Sequence, residues 1–270
     1  MNNERAKETP RGDVHVEKYT TGIFEEVAAP DNPYGTGHVY CYGYDQLALN
    51  KHLDFASYLY LLMRGSLPDV AQAGLLNRAL IAFANPGVRH PATRAAATAA
   101  VGKTLHSGVL PVAMMLMCSE QDGADSVARA MRCLRKSVRS EPGAAITSGG
   151  DEFVFGLCAG SENSWLDKVC DTLIDGGDYP YLNWGRQHIS ATRASGKEAG
   201  WLQSGLVAAT FADLGILPRL APGLLQLLAA PGLLAQGMEH ANRDTAVMPF
   251  LSDEQCEIDR FDLQASEVES

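Results

Sequence analysis

The 270-residue sequence contains no run of about 18 apolar residues, so no transmembrane helix is expected. The longest apolar stretch, Val109 to Met117, is too short to span a bilayer and reads as part of a buried helix. Residues Met1 to Asp13 are polar and charged, without the apolar segment of a secretory signal. The six cysteines (Cys41, Cys118, Cys133, Cys158, Cys170 and Cys256) form no Cys-x-x-Cys pair, and in this pattern they read as free thiols in a reducing cytoplasm. Glycine-rich phosphate loops, a Gly-x-Ser-x-Gly elbow and a His-Glu-x-x-His helix are all missing. The seven histidines are isolated from one another, so no metal site is expected. Basic residues are also short: 22 Lys and Arg against 32 Asp and Glu give a net charge of −10, which argues against a nucleic-acid partner. Anionic ligands stay possible, because a pocket can be positive inside an acidic protein.

What the sequence does have is helical period. Asp54 to Met63 reads as an apolar helix ending near Arg64-Gly65, with Ser66 placed to cap the next one through Phe83. An alanine-rich helix is expected over Pro91 to Val101, and Leu110 to Cys118, apolar all round, reads as a central core helix. Ala124 to Val138 is amphipathic, with Val127, Met131 and Leu134 inward. Arg129, Arg132, Lys136 and Arg139 share its outer face, either as a solvated stripe or as a contact for phosphates. Ser164 is placed to cap a helix with Trp165, Val169 and Leu173 inside. Ser195 to Glu198 has the form of a capping box opening a helix through Leu206, Val207 and Phe211 to Gly215. A last pair of helices is expected on either side of Pro231. Strand signals are confined to His38 to Tyr42 and Glu152 to Phe155, so the fold class is all-α.

The run Tyr40-Cys41-Tyr42-Gly43-Tyr44-Asp45, the leucine-rich segment Phe55 to Arg64 and the following Gly65-Ser66-Leu67-Pro68 resemble the early sequence of citrate synthases and citryl-CoA lyases. The resemblance continues at Pro86 to Arg94, at Leu202 to Gly215 and at Ala230 to Glu239. It implies a two-domain helical fold with core helices at a homodimer interface. The large domain would comprise residues 1–125 and 204–270, and the small one 126–203. It also implies a CoA thioester as co-substrate and a small carboxylate or acyl-CoA ligand, with no metal, nucleic acid or membrane involved.

The family's chemistry removes a proton from an acetyl thioester with a carboxylate and polarises two carbonyls with histidines, while arginines hold substrate carboxylates. In this sequence Gln121 falls on the first histidine; Leu182 to His188 stands where the family has a turn around a glycine, here Gly185, with Arg186 on the second histidine and His188 two residues on; Ser204 falls on the aspartate and Ala229 on a substrate arginine. Glutamine can donate a hydrogen bond but cannot relay a proton, and serine is too weak an acid to replace a carboxylate base. Gln121, Arg186, His188 and Ser204 are the candidate catalytic positions, and Arg89, His90, Arg94 and Trp184 the candidate substrate contacts. Two functions follow from this reading. One is an enzyme of altered chemistry that makes or breaks a C–C bond beside a carbonyl; the other is an inactive relative that binds ligand or regulates. The discriminating feature is whether His188, His90 or an acid such as Asp122 reaches the pocket as a substitute base.

Overall fold

The computed structural model describes residues 20–119, 123–146, 149–156 and 165–245. Helices dominate these residues and the strands are few, as the periodicity predicts. Gln121, Asp122, Cys158, Ser164 and Cys256 lie outside them. The chain forms two compact units, one of residues 1–78 and 214–216, the other of 79–213 and 217–270.

In the first unit, strands β1 (Glu25–Ala29), β2 (Asn32–Cys41) and β3 (Tyr44–Asp45) form an antiparallel sheet in that order. Helix α1 (Gln46–His52) follows, capped by Asp45, and α2 (Phe55–Arg64) is capped by Asp54, whose carboxylate accepts the Ser57 N–H at 2.7 Å. Gly65 ends α2 at φ +72°, a left-handed conformation that favours glycine. Cys41, Leu49 and Leu61 form a small apolar cluster in this unit. The sequence indicated only the end of β2. The rest of the hairpin carries no alternation of apolar and polar residues, because its side chains are exposed on both faces.

Helix α3 (Val70–Ala82) starts at Asp69 rather than Ser66. Asp69 accepts from the Gln72 N–H at 2.8 Å and Gln72 accepts from the Asp69 N–H at 3.0 Å, a reciprocal cap that Ser66 has no counterpart for.

The second unit contains α4 (Pro91–Val101), α5 (His106–Leu116), α6 (Ala124–Ser137), α7 (Trp165–Ile174), α8 (Pro180–Ala194), α9 (Gln203–Asp213) and α10 (Ala221–His240). The two-stranded pair β4 (Phe155–Gly156) and β5 (Gly200–Trp201) lies among them. Helix α6 buries Val127, Met131 and Leu134 as expected, and α7 buries Val169 and Leu173. Trp165, expected inside, is 75% exposed because it opens α7 and precedes the turn that reaches the core.

Helix α5 buries Val109 and Ala113 but leaves Met115 75% exposed, so it is half-covered in the single chain rather than central. Ser195 ends α8 instead of opening a helix: its N–H bonds the Ala191 carbonyl and its hydroxyl bonds the Thr192 carbonyl. Pro231 does not split the last helix. The N–H of Gly232 leaves the helical ladder and bonds the Ala84 carbonyl at 3.0 Å, so the turn disrupted by proline is satisfied from outside.

Candidate functional site

A cavity of about 270 Å³ lies in the second unit, lined by residues from the first turns of three helices. Helix α4 contributes His90 and Pro91, α6 contributes Gly123, Ser126 and Val127, and α9 contributes Gln203 and Ser204. Each start carries roughly half a positive charge from its unpaired N–H groups, so three starts on one cavity favour an anion. Arg89 adds a full positive charge to the wall. Among the described residues no carboxylate lines it.

Local sequence explains how each start is placed. Pro91 occupies the first position of α4, where its missing N–H costs nothing, and His90 Nδ1 accepts the Ala92 N–H at 3.1 Å. That bond uses the Nδ1 lone pair, so the neutral imidazole carries its proton on Nε2 and is a donor there. Helix α6 starts at Gly123, where a Cβ would lie 2.0 Å from the Ser119 carbonyl oxygen, and the Ser126 hydroxyl bonds the Gly123 carbonyl at 2.6 Å. Helix α9 is clamped through main chain: Leu202 N–H bonds the Val154 carbonyl at 3.0 Å, and a Cβ on Gly205 would meet that same oxygen at 2.1 Å. The Ser204 hydroxyl donates to the Phe153 carbonyl at 2.6 Å. Its proton is therefore committed, and its oxygen can act only as an acceptor toward the cavity. Ala229 of α10 forms part of the opposite lining.

The structure thus brings Arg89, His90, Ser204 and Ala229 to one cavity. Gln121 falls outside the described residues. Arg94 sits on the exposed side of α4 and does not line the cavity.

Arg186 and His188 fall within α8 rather than on a turn. Two residues on a helix stand about 200° apart, and they face different cavities. Arg186 pairs with Asp171 at 3.4 Å on the surface. His188 is buried, stacked on both Phe155 and Trp184 in a three-ring cluster, and burial lowers its pKa below the usual histidine value. Trp184 is buried beside it, with its indole N–H donating to the Ser140 carbonyl at 2.9 Å.

The sequence reading missed Phe153, Val154 and Leu202, which hold the start of α9. Their role is played by backbone atoms, and the glycine at position 205 was its sole trace in the sequence.

Known family profiles and curated proteins give no match to the chain. Solved structures do. Citryl-CoA lyase from Hydrogenobacter thermophilus matches with a TM-score of 0.72 and 19% identity, over 93% of this chain and 97% of that one. ATP citrate lyase from Methanothrix soehngenii, in complex with citrate and coenzyme A, matches with a TM-score of 0.65 and 13% identity, over 89% of this chain and 43% of that one. Citrate synthase from Thermoplasma acidophilum, with carboxymethyl coenzyme A and oxaloacetate, gives 0.55 and 12%, over 77% and 58%. The chain has the citrate synthase-type fold that these proteins share.

Proposed function

We propose that the protein binds a small carboxylate or a CoA thioester in the cavity between the starts of α4, α6 and α9. It would make or break a C–C bond next to a carbonyl with chemistry altered from that of its structural neighbours. The observation that carries this reading is the anion-favouring cavity: Arg89 and three helix starts, with no carboxylate in the described lining. Arg89 would hold a ligand carboxylate, His90 would donate from Nε2 to a carbonyl oxygen, and the Ser204 oxygen would accept from a ligand hydroxyl. Arg94, Trp184, Arg186, His188 and Gln121 are not needed for this core arrangement.

That no carboxylate base lines the cavity among the described residues also supports a second reading, an inactive relative that binds ligand without turning it over. Removal of the base alone is worth about 10²- to 10⁴-fold in rate.

Calorimetric titration with citrate, oxaloacetate and acetyl-CoA tests both readings. Binding of at least one, weakened about tenfold or more by Arg89→Ala and unchanged by Arg94→Ala, is expected. No binding by any of the three would refute the carboxylate and CoA reading. Thiol release from acetyl-CoA that depends on oxaloacetate would refute altered chemistry.

The homodimer and the division into residues 1–125 with 204–270 and 126–203 belong to the same proposal. The exposed apolar face of α5, with Val112, Met115 and Leu116, supports the dimer. Light scattering showing a monomer at micromolar concentration would remove it. No helix among the described residues is long and apolar enough to cross a membrane. The free thiols Cys41, Cys118, Cys133 and Cys170 fit a cytoplasmic location.

A further inference from the structure

Helix α8 fastens the loop of residues 140–146 with two side chains that take no part in the cavity at α4, α6 and α9. The Gly143 N–H donates to His188 Nδ1 at 3.1 Å, and the Trp184 indole N–H donates to the Ser140 carbonyl at 2.9 Å. The His188 ring is held flat, with its centroid 4.8 Å from that of Phe155 and 4.9 Å from that of Trp184. Gly143 adopts φ +89°, and a Cβ on it would lie 2.8 Å from the Ala191 Cβ, so the loop runs directly against the helix. The loop borders a cavity of about 350 Å³ shared with His188 and a smaller one of about 100 Å³ shared with Trp184.

We propose that His188 is an acid-sensitive latch: neutral, it holds the 140–146 loop on α8, and protonated, it releases it. An imidazole can accept the Gly143 N–H at Nδ1 only while that nitrogen has a lone pair. Imidazolium carries N–H on both nitrogens, so protonation sets the Nδ1 N–H and the Gly143 N–H, two donors, against each other inside a cluster of aromatic rings. Burial disfavours the charged ring and keeps the latch closed near neutral pH.

The charged groups sharing the ring's cavity are Asp151, Lys197 and Glu198. Lys136 lines the smaller cavity behind Trp184, and Arg139 and Glu141 flank Ser140 in the exposed loop. Arg186 and Arg193 of the same helix line a different cavity. The latch does not depend on what the α4, α6 and α9 cavity binds.

Hydrogen exchange on the full chain tests this, followed by mass spectrometry at pH 7.5 and pH 5.0 and corrected for the intrinsic pH dependence of exchange. Protection of peptides covering 140–146 is expected to fall about tenfold or more at pH 5.0, the effect of one lost buried hydrogen bond, while α9 peptides keep theirs. His188→Gln retains an acceptor without a titrating group and should show the same loop protection at both pH values. His188→Phe retains the stack without an acceptor and should leave the loop unprotected at both. A wild-type loop whose protection does not change with pH, or a His188→Gln loop that still loses it, overturns the proposal. If His188→Phe does not fold, the wild type and His188→Gln decide.

Discussion

Asp213, the last residue of α9, caps a different helix. Its two carboxylate oxygens accept the Tyr181 and Leu182 N–H groups at 2.9 and 3.0 Å, in the first turn of α8. Burial pushes this carboxyl up from 3.8 to about 6, with Asp178 adding to the rise, while the two N–H bonds pull the other way. A folded-state pKa above the unfolded value means that the folded protein holds the proton more tightly. The stabilisation is complete below pH 3.8 and is lost as pH rises through 6. A shift from 3.8 to about 6 corresponds to roughly 3 kcal/mol.

Asp213→Asn is neutral at every pH and keeps one oxygen acceptor, so it loses roughly 1 kcal/mol of hydrogen bonding but has no swing with pH. Wild type should therefore be about 0.5 kcal/mol more stable than the variant at pH 4, where the unfolded carboxyl is already partly ionised, and about 2 kcal/mol less stable at pH 7.5. Urea unfolding followed by circular dichroism at the two pH values measures the difference. A gap that stays constant would show that Asp213 is not desolvated. A gap moving the opposite way would show that the N–H bonds and the α8 start outweigh burial.

Other expectations follow from single positions. Gly205→Ala puts a Cβ 2.1 Å from the Val154 carbonyl oxygen, a backbone atom that cannot swing aside, and should cost about 3 kcal/mol or more. Gly223→Ala on α10 meets nothing within 4 Å and should stabilise by about 0.5–1 kcal/mol; urea midpoints of the two variants should move in opposite directions. The Cys170 thiol, pushed up to about 12 mainly by burial, should react with iodoacetamide at pH 8 roughly 10³-fold more slowly than an ordinary exposed thiol. Cys118 is exposed and should label before the buried Cys41, Cys133 and Cys170 in peptide mapping.

The sequence revealed those parts of the fold whose signals are local. The limits of α4 could be read from Pro91 and the alanine run, and those of α2 from Asp54 and Gly65, because caps and breakers act within a few residues. Helix α8 was misread as a turn around Gly185. What makes it helical is Asp213, 31 and 32 residues away, together with Trp201, against which Gly185 packs too closely for a side chain. Pro231 reads as a break because what bridges it, the Ala84 carbonyl that accepts the Gly232 N–H, carries no side-chain signature.

The site divided in the same way. Arg89, His90, Ser204 and Ala229 were identified from their place in the chain and meet in space. Arg186 and His188 were read as neighbours on a loop, and the helical turn sends them to opposite sides.

The tie between Gly232 and Ala84 reaches beyond the proline that occasions it. It fixes the segment leading to Arg89 and His90 against the middle of α10, close to Leu225 and Ala229. Val154 does the same for α9 through Leu202. Both fastenings join peptide groups, and what they require of the sequence is glycine at 232 and 205, where a Cβ would lie 2.2 and 2.1 Å from the accepting oxygens. The frame of the cavity is therefore largely indifferent to the side chains that line it. A histidine, aspartate or arginine can be exchanged for glutamine, serine or alanine while the walls keep their positions, so this architecture can change its chemistry without first rebuilding its shape.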